Sequence, residues 1–284
     1  MLLKEYRAYF KKELQSLYDE KEIESFFYLV LESFHQKRRI DLALNQELKL
    51  DSMQLLRWES VLVELKTQKP IQYILGETEF YGLKFLVNKN TLIPRPETEE
   101  LVQLIISDTK TNKKTVPIRI LDVGTGTGCI AISLAKNILD SAVFGIDIST
   151  KALETASQNA KINEVQVVFI KKNILSTEDL EEQFDIIVSN PPYVRNLEKA
   201  EISANVLDYE PHLALFVDDT DALLFYRKIA QLAMINLSQN GKLYFEINQY
   251  LGKETVALLE KTGLKNIALL QDIYGNNRMI SCSL

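Results

Sequence analysis

Apolar residues recur every three or four positions through the first 75 residues, a spacing typical of amphipathic helices. The repeats are Tyr6, Phe10, Leu14 and Leu17, then Ile23, Phe26, Phe27, Val30, Leu31 and Phe34, and finally Leu55, Leu56, Trp58, Leu62 and Leu65. Asp51 or Ser52 is predicted to cap the last of these helices. The aromatic stripe is more typical of a bundle core than of a ligand site. Residues 1–75 are therefore predicted to form a helical bundle that acts as a scaffold or docks a partner.

The pattern changes between residues 76 and 96. Apolar and aromatic residues in segments 78–81 and 83–87 flank Gly82, which predicts a β-hairpin linker. The prolines that follow exclude a helix before Glu97, and Glu97 or Thr98 is predicted to open the next one. The apolar face of that helix is predicted to contain Leu101, Leu104 and Ile105.

Residues 97–284 alternate short apolar runs with amphipathic segments, which is typical of an α/β domain. The runs predicted as strands are 118–123, 142–147, 165–170, 184–189, 242–247, 267–271 and 278–282. The predicted helices between them include 128–137, a helix capped by Ser149 that ends near Asn159, 222–237 and 254–262. Because strands joined through helices pair in parallel, we predict a doubly wound, mostly parallel, seven-stranded sheet.

Composition narrows the class of protein. The net charge is −6, from 33 basic and 39 acidic residues, and residues 1–75 contain 12 of each, so no basic face for nucleic acid is indicated. Two cysteines are too few for a disulfide framework, and they form no metal-binding cluster with the two histidines. No signal peptide and no membrane-spanning run is recognised. We therefore expect a cytoplasmic protein that binds neither a membrane nor a metal.

The strand 184–189 ends in Asn190-Pro191-Pro192-Tyr193, which cannot continue a β-ladder because proline has no N–H. The first proline holds Asn190 extended at the carboxyl end of the strand, where open α/β sheets bind ligands. The side-chain carbonyl of Asn190 and the backbone carbonyl of Pro191 are predicted to converge there. Two acceptors suit a planar –NH2 group, which offers two donors, and Tyr193 would add an aromatic wall.

A glycine loop, residues 124–128, joins the first predicted strand of the sheet to its helix. Glycines let a ligand approach the backbone, and the free N–H groups of the helix suit an anion. Asp147 ends the next strand, where a carboxylate accepts hydrogen bonds from ribose hydroxyls. Because Gly126, Gly128 and Ala131 also fit G-x-G-x-x-A, the loop alone leaves NAD and S-adenosylmethionine as alternatives. The two acceptors predicted at Asn190 and Pro191 favour S-adenosylmethionine. Methyl transfer to nitrogen requires an –NH2 group to be held in this way, whereas hydride transfer does not.

These motifs resemble those of S-adenosylmethionine-dependent (class I) methyltransferases that act on planar nitrogen, a group that includes adenine-N6 and guanine-N2 nucleic-acid enzymes. Other segments narrow the resemblance to one family, the protein-(glutamine-N5) methyltransferases that modify the Gly-Gly-Gln glutamine of peptide-chain release factors. Those segments are 72–77, 79–82, 92–99, 129–131, 209–211, 215–216 and 275–278. The match runs from about residue 70 to 280, and the helical amino-terminal domain also fits.

The resemblance implies a Rossmann-like fold and a set of site residues. The implied cofactor-binding residues are Gly124, Thr125, Gly126, Thr127, Gly128, Asp147, Asn173, Ile174 and Asn190. The implied substrate-binding residues are Asn190, Pro191, Pro192 and Tyr193, of which Asn190, Pro191 and Tyr193 are also the catalytic ones. The implied partners are class-1 release factors, which residues 1–75 would help dock, and the enzyme is expected to act as a monomer. Two alternatives remain: a nucleic-acid amino-methyltransferase and a cofactor-binding interaction module with no chemistry, which the intact Asn-Pro-Pro-Tyr motif disfavours.

Two segments depart from the family pattern. Asn248 stands where the family usually has a glycine after Glu-Ile, which puts the local loop geometry in doubt. After the third strand, Asn173 and Ile174 stand where the family often has Asp and an aromatic residue. Asn173 is still predicted to hydrogen-bond adenine, whereas Ile174 would stack more weakly.

Two further residues are interpreted as structural. Cys129 lies at a helix amino terminus, which can lower a thiol pKa, but the two motifs already supply a complete mechanism without a nucleophile. His212 is typical of a loop or core histidine. No general base is assigned, because the proton can leave to water after transfer.

Overall fold

The computed structural model describes residues 1–45, 47–110 and 117–284. Its helices are α1 (Leu3–Leu14), α2 (Glu20–His35), α3 (Arg39–Leu44), α4 (Ser52–Lys66), α5 (Ile71–Leu75), α6 (Pro96–Lys110), α7 (Cys129–Asn137), α8 (Thr150–Ile162), α9 (Ala204–Tyr209), α10 (His212–Leu215), α11 (Leu224–Asn236) and α12 (Gly252–Thr262). Within the described ranges, no helix is long and apolar enough to cross a bilayer.

The strands are β1 (Glu77–Phe80), β2 (Leu83–Leu86), β3 (Ile118–Val123), β4 (Ser141–Asp147), β5 (Val167–Lys171), β6 (Phe184–Ser189), β7 (Val194–Arg195), β8 (Phe216–Val217), β9 (Leu237–Glu246), β10 (Lys265–Gln271) and β11 (Asn277–Ser283). The chain divides into two compact units. The first contains Met1–Gly76 and Ser203–Tyr209, and the second contains Glu77–Ile202 and Glu210–Leu284. The division into domains at residues 75 and 96 stays a prediction.

The first unit is a helical bundle built around Trp58 of α4. The Trp58 ring is fully buried, and its centroid lies 5.4 Å from that of Tyr6, 6.1 Å from Phe10 and 5.0 Å from Phe27. Its indole N–H donates to His35 Nε2 at 2.9 Å. The large rings pack against one another in the core, and the one polar atom of Trp58 is paired. The aromatic stripe therefore forms the core of the bundle, as predicted.

Some parts of the first unit were predicted and others were not. Asp51 caps α4 as predicted, because its carboxylate accepts the Gln54 N–H at 2.8 Å. The short helices α3 and α5 were not predicted, since five or six residues are too few for a periodic pattern. The unit also contains α9, whose Tyr209 hydroxyl donates to the Thr67 carbonyl oxygen at 2.8 Å. Residues far apart in sequence therefore belong to one unit.

The second unit contains a seven-stranded sheet in the order β10-β11-β9-β6-β3-β4-β5. Strands β5, β4, β3, β6 and β9 pair in parallel, and β11 runs antiparallel to β9 and β10. Alternate residues of β6 enter the two cores: Ile187 packs with α11 and α12, whereas Ile186 and Val188 pack with α6 and α7. The doubly wound, mostly parallel, seven-stranded sheet is thus confirmed.

The predicted β1–β2 hairpin forms, and α8 holds it in place. Asn159 of α8 is fully buried. Its side chain accepts the Leu86 N–H at 2.7 Å and donates to the carbonyl oxygens of Leu86 and Thr127 at 3.0 and 2.9 Å. Asn163 donates to the Lys84 carbonyl oxygen at 2.8 Å. One buried amide therefore connects the hairpin to the glycine loop.

Several predicted boundaries are wrong, and three of them have a physical reason. Helix α6 begins at Pro96, not at Glu97 or Thr98, because the first N–H of a helix needs no partner and proline is favoured there. Strand β5 begins at Val167 and not at Val165, whose N–H donates to the Ala160 carbonyl oxygen. Strand β9 begins at Leu237, five residues before the prediction, because the polar residues that follow Leu237 hide its pairing with Phe184.

Replacing Asn159 by alanine is expected to lower the free energy of unfolding by about 2–4 kcal/mol, since the three hydrogen bonds of a fully buried amide are lost. Urea-induced unfolding measures the change. The exposed Asn137, replaced by alanine, is the matched control and should shift stability by no more than about 0.5 kcal/mol. Equal midpoints for the two variants would show that Asn159 does not hold the hairpin.

Candidate active site

A cavity of about 360 Å³ lies at the carboxyl ends of β3, β4 and β6. Its wall includes Gly124 after β3, Asp147 at the end of β4 and Asn190 after β6. This edge is where open α/β sheets bind ligands, and the volume lies in the range of small-molecule sites. The glycine loop, its acid and the Asn-Pro-Pro segment therefore share one cavity.

The glycine loop is held against β4 and is open toward the cavity. The N–H groups of Gly124 and Thr125 donate to the Ile146 carbonyl oxygen at 2.9 and 3.0 Å. Gly124 has φ +76°, and a Cβ atom built there would meet nothing within 4 Å. At Gly128, also at positive φ, a Cβ would lie 2.9 Å from Ile132 Cδ1. Gly124 thus leaves room for a ligand, whereas Gly128 lets the chain pack closely.

Asp147 is fixed by backbone donors. Its Oδ2 accepts the Gly126 N–H at 2.9 Å, and its Oδ1 accepts the Ser149 N–H at 2.8 Å. A carboxylate offers about four acceptor sites, so Asp147 keeps capacity for ligand hydroxyls. The glycine loop and the acid are therefore oriented together.

Asn173 and Ile174 also line the cavity, after β5. The Asn173 side-chain oxygen accepts the Leu175 N–H at 3.0 Å and caps a short 3-10 helix. Because the oxygen is used in this way, the amide nitrogen of Asn173 is the group that remains to donate to a ligand.

Thr125 and Thr127 do not belong to the described lining of the cavity, and neither does Gly128. The Thr125 hydroxyl donates to Asp122 Oδ2 at 2.6 Å, and Thr127 is 1% exposed. These residues shape the loop from behind. Their contact with a cofactor stays a prediction from the resemblance.

Two titratable groups lie under the loop. Burial raises the pKa of Asp122 to about 7, although hydrogen bonds from Thr125 and Ala131 oppose the rise. The Ala131 N–H, near the start of α7, donates to Asp122 Oδ2 at 3.3 Å. The Ala131 N–H, one of the helix donors predicted to be free for an anionic ligand, is therefore bound to Asp122. Burial also raises the pKa of Cys129 to about 12, so its thiol stays protonated at neutral pH and is not an activated nucleophile.

Asn190, Pro191 and Pro192 line the cavity directly after β6. The Asn190 amide nitrogen donates to Thr98 Oγ1 at 3.3 Å. Thr98 is 2% exposed and lies in the first turn of α6. The side chain of Asn190 is therefore held through its amide nitrogen. Its side-chain oxygen, the atom that would accept from a substrate –NH2 group, is not used in this contact.

Tyr193 is placed differently from the rest of its motif. Its hydroxyl donates to Glu246 Oε1 at 3.1 Å, and its ring packs against the core that contains Tyr226 and Phe245. Tyr193 is not part of the described cavity wall. Its packing on a substrate amide stays a prediction.

The sequence prediction missed Glu246, the last residue of β9. Glu246 is 1% exposed and accepts the Thr98 hydroxyl at 2.6 Å as well as that of Tyr193. Burial raises its pKa, although both hydroxyls and the charge of Arg278 oppose the rise. The rule that pointed to Asn190 applies here too, because β9 pairs in parallel with β6 and ends at the same edge.

Asn248, the residue that replaces the family glycine, anchors the loop after Asn190. Its amide nitrogen donates to the Tyr193 carbonyl oxygen at 3.0 Å and to the Glu198 carboxylate at 2.9 Å. Burial disfavours ionised Glu198, but hydrogen bonds from Arg195 and Asn248 outweigh burial and lower its pKa. The doubt about local geometry is thus resolved: the asparagine adds a buried contact that glycine could not make.

The outer wall of the cavity depends on an ion pair in which Glu210 is buried and Arg95 is partly exposed. Glu210 is 4% exposed, and its carboxylate accepts Arg95 Nη2 at 2.5 Å and the Ile93 N–H at 3.1 Å. This pair joins the segments on either side of the cavity mouth, 89–92 and 211–214. His212 lies with its ring edge-on to Phe216 at 5.3 Å, in agreement with a structural role.

Comparisons with known proteins agree with this arrangement. The PrmC N-terminal domain family matches residues 5–76, and the Methyltransferase small domain family matches residues 101–210. A methyltransferase structure from Pyrococcus furiosus is similar with a TM-score of 0.51 at 17% identity, covering 82% of this chain and 98% of that one. The hMettl16 catalytic domain is similar with a TM-score of 0.53 at 14% identity, covering 83% of each chain. At such identities, the two structures support the fold alone.

Curated relatives are much more similar. A release factor glutamine methyltransferase of Flavobacterium psychrophilum is 67% identical over 280 residues, which cover 99% of this chain and 98% of the relative. One of Bacteroides thetaiotaomicron is 40% identical over 277 residues, which cover 97% and 98%. On this identity over nearly the whole length, together with the two matching domains, the chain belongs to the family of release factor glutamine methyltransferases.

Proposed function

We propose that the cavity carries out the transfer of a methyl group from S-adenosylmethionine to the side-chain amide nitrogen (N5) of the glutamine in the Gly-Gly-Gln motif of class-1 release factors. Family membership supports the reaction. The observation that supports the site is the shared cavity wall, which brings the glycine loop, Asp147 and Asn190 together. Because release factors belong to the translation machinery, we propose that the enzyme acts in the cytoplasm. We further propose that it acts as a monomer.

The residues of the cavity fit this cofactor. Gly124 leaves open space at the backbone, and Asp147 keeps acceptor sites that suit two ribose hydroxyls. Asn173 offers an amide N–H for a base, and the apolar side chain of Ile174 offers a surface for a ring. When bound, S-adenosylmethionine supplies an electrophilic methyl group on a positively charged sulfur.

The substrate amide requires orientation more than activation by a base. An amide nitrogen is a poor nucleophile because its lone pair is delocalised into the carbonyl group. The Asn190 side-chain oxygen and the Pro191 carbonyl oxygen are proposed to accept its two N–H groups. They would hold the nitrogen in the attacking geometry and stabilise the positive charge that develops on it. The proton is released to water afterwards, so no general base is assigned.

The first unit is proposed to dock the release factor and to take no part in the chemistry. Three apolar side chains on α4 are exposed, Met53 by 75%, Leu56 by 69% and Val63 by 62%. Their spacing places them on one face of the helix, and clustered exposed apolar residues mark interaction surfaces. A protein substrate that touches this face would gain affinity, while a short peptide would not.

The direct test of the reaction uses radiolabelled S-adenosylmethionine and purified release factor, with DNA and ribosomal RNA tried in parallel. Label is expected in the release factor, and in a glutamine of its Gly-Gly-Gln peptide after digestion. Label in nucleic acid alone would overturn the proposed substrate.

Asp147→Ala is expected to weaken binding of S-adenosylhomocysteine by roughly 2–4 kcal/mol, because two charge-assisted hydrogen bonds are lost. Titration calorimetry measures the affinity. Glu154→Ala, which removes the same charge from an exposed position of α8, is the control and should bind normally. If both variants bind alike, Asp147 does not contact the ligand.

Asn190→Ala is expected to reduce kcat by about 100-fold or more, the scale of a positioning and electrostatic group. Near-UV circular dichroism and S-adenosylhomocysteine affinity check that the fold is retained. Asn240→Ala, on an exposed part of β9, should keep normal turnover. Normal turnover of Asn190→Ala on release factor would contradict the mechanism.

The docking surface is tested with the double variant Leu56→Lys, Val63→Lys. Its KM for intact release factor should rise several-fold with kcat unchanged, the pattern of lost uniform binding. Methylation of a short Gly-Gly-Gln peptide should be unchanged. Leu139→Lys, at an 86% exposed leucine of the second unit, is the matched control. An unaltered KM for the double variant would exclude this face of α4.

A further inference from the structure

A chain of hydrogen bonds runs from the cavity into the core and ends at a carboxylate. Asn190 donates to Thr98 Oγ1 at 3.3 Å, and the Thr98 hydroxyl donates to Glu246 Oε2 at 2.6 Å. The other oxygen of Glu246 accepts the Tyr193 hydroxyl at 3.1 Å. Thr98 and Glu246 are 2% and 1% exposed, so these contacts are shielded from solvent.

The direction of this chain follows from the number of protons available. A threonine hydroxyl has one proton to donate, whereas an ionised carboxylate only accepts. The Thr98 hydroxyl therefore donates its hydrogen bond to Glu246, and the lone pairs of the same oxygen face Asn190. The amide of Asn190 must meet those lone pairs with its –NH2 group, which turns its carbonyl oxygen away from Thr98.

We propose that Glu246, acting through Thr98, is a positioning residue that selects the amide orientation of Asn190 in which the side-chain oxygen faces the substrate. The inference rests on the proposed role of Asn190 as an acceptor for the glutamine –NH2 group. Glu246 itself does not line the described cavity, and both of its oxygens are engaged by hydroxyls. It therefore acts on the reaction only through its neighbours.

The protonation state of Glu246 controls the direction of the hydrogen bonds from Asn190 through Thr98 to Glu246. A protonated Glu246 can donate to Thr98, whose hydroxyl then points to Asn190 and favours the opposite amide orientation. An amide turned in this way presents –NH2 to the substrate –NH2 group, and two donors repel each other. The ionised form of Glu246 is thus the productive one, and kcat should fall as pH decreases through its pKa.

Several groups set the titration of Glu246. Burial raises its pKa, hydrogen bonds from Thr98 and Tyr193 lower it, Arg278 of β11 lowers it, and Glu97 of α6 raises it. From α11, the Tyr226 hydroxyl donates to the Glu246 backbone carbonyl oxygen. The charge of Glu246 acts in turn on Cys129 at the start of α7. Asp122, whose pKa is raised to about 7, titrates separately under the glycine loop.

The decisive variants are Thr98→Val and Thr98→Ser. Valine has nearly the shape of threonine without the hydroxyl, and serine keeps the hydroxyl. Thr98→Val should lower kcat by about tenfold or more, the effect of one orienting hydrogen bond. Its KM for S-adenosylmethionine should stay unchanged, and Thr98→Ser should restore most of kcat. A residue needed only for folding would not give this division between kcat and KM.

The pH profile supplies a second, independent readout. In the wild type and in Thr98→Ser, kcat should rise with pH through the titration of Glu246. Thr98→Val should lack this acid limb, since the protonation of Glu246 is no longer transmitted, while any limb from Asp122 remains. Glu246→Gln, which mimics the protonated acid, should show a low kcat at every pH with normal S-adenosylhomocysteine affinity.

The outcomes separate this inference from the proposed function. If Asn190→Ala is inactive while Thr98→Val and Glu246→Gln keep wild-type kcat and the acid limb, the positioning role is wrong and the site assignment stands. If Asn190→Ala itself keeps full activity, the proposed function of the site fails first. Should Thr98→Val not fold, Glu246→Gln alone decides the question, because a wild-type kcat in that variant overturns the inference.

Discussion

The parallel pairing of β3 with β4 on one side and β6 on the other is the constraint on which the site depends. Because parallel strands end at one edge, the glycine loop after β3, Asp147 at the end of β4 and Asn190 after β6 meet in one cavity. Any slip of β6 against β3 would move Asn190 along the sheet by a strand residue, about 3.3 Å. The pairing of the strands thus sets the relative positions of the glycine loop, Asp147 and Asn190.

The sheet determines where the loops of the site begin, and buried polar side chains then stabilise the conformation of these loops. Asn159 joins the hairpin to the glycine loop, and Glu210 joins the two segments of the outer wall. A buried polar group that lost its partner would carry a desolvation cost of about 1–3 kcal/mol. These contacts therefore stabilise irregular backbone that no β-ladder holds.

Much of this architecture follows from local pattern. The seven strands, the hairpin and the cap at Asp51 could be predicted because each is encoded within a few neighbouring residues. The start of β9 could not, because its pairing with Phe184 depends on a strand fifty residues away. The hydrogen bond between Thr98 and Glu246 could not be predicted for the same reason. The two residues are 148 positions apart in sequence, and only the fold shows that they are in contact.

The position of Tyr193 is a second detail that the sequence does not give. A motif read as one unit suggested that all four of its residues face the ligand. The structure places Asn190, Pro191 and Pro192 in the cavity wall and directs the Tyr193 hydroxyl to Glu246. The side chains of Asn190 and Tyr193, three residues apart, therefore have different neighbours, which a linear motif does not reveal.

The contact between Asn248 and Glu198 has a consequence for how substitutions at the two positions combine. Glu198 is a buried acid that accepts hydrogen bonds from Asn248 as well as from Arg195, and Asn248 also donates to the Tyr193 carbonyl oxygen. Replacing Asn248 by glycine would remove both of its contacts at once and leave the buried carboxylate with Arg195 alone among its described partners. Residues that share a buried contact of this kind are energetically coupled, so the cost of a change at position 248 depends on the residue at position 198.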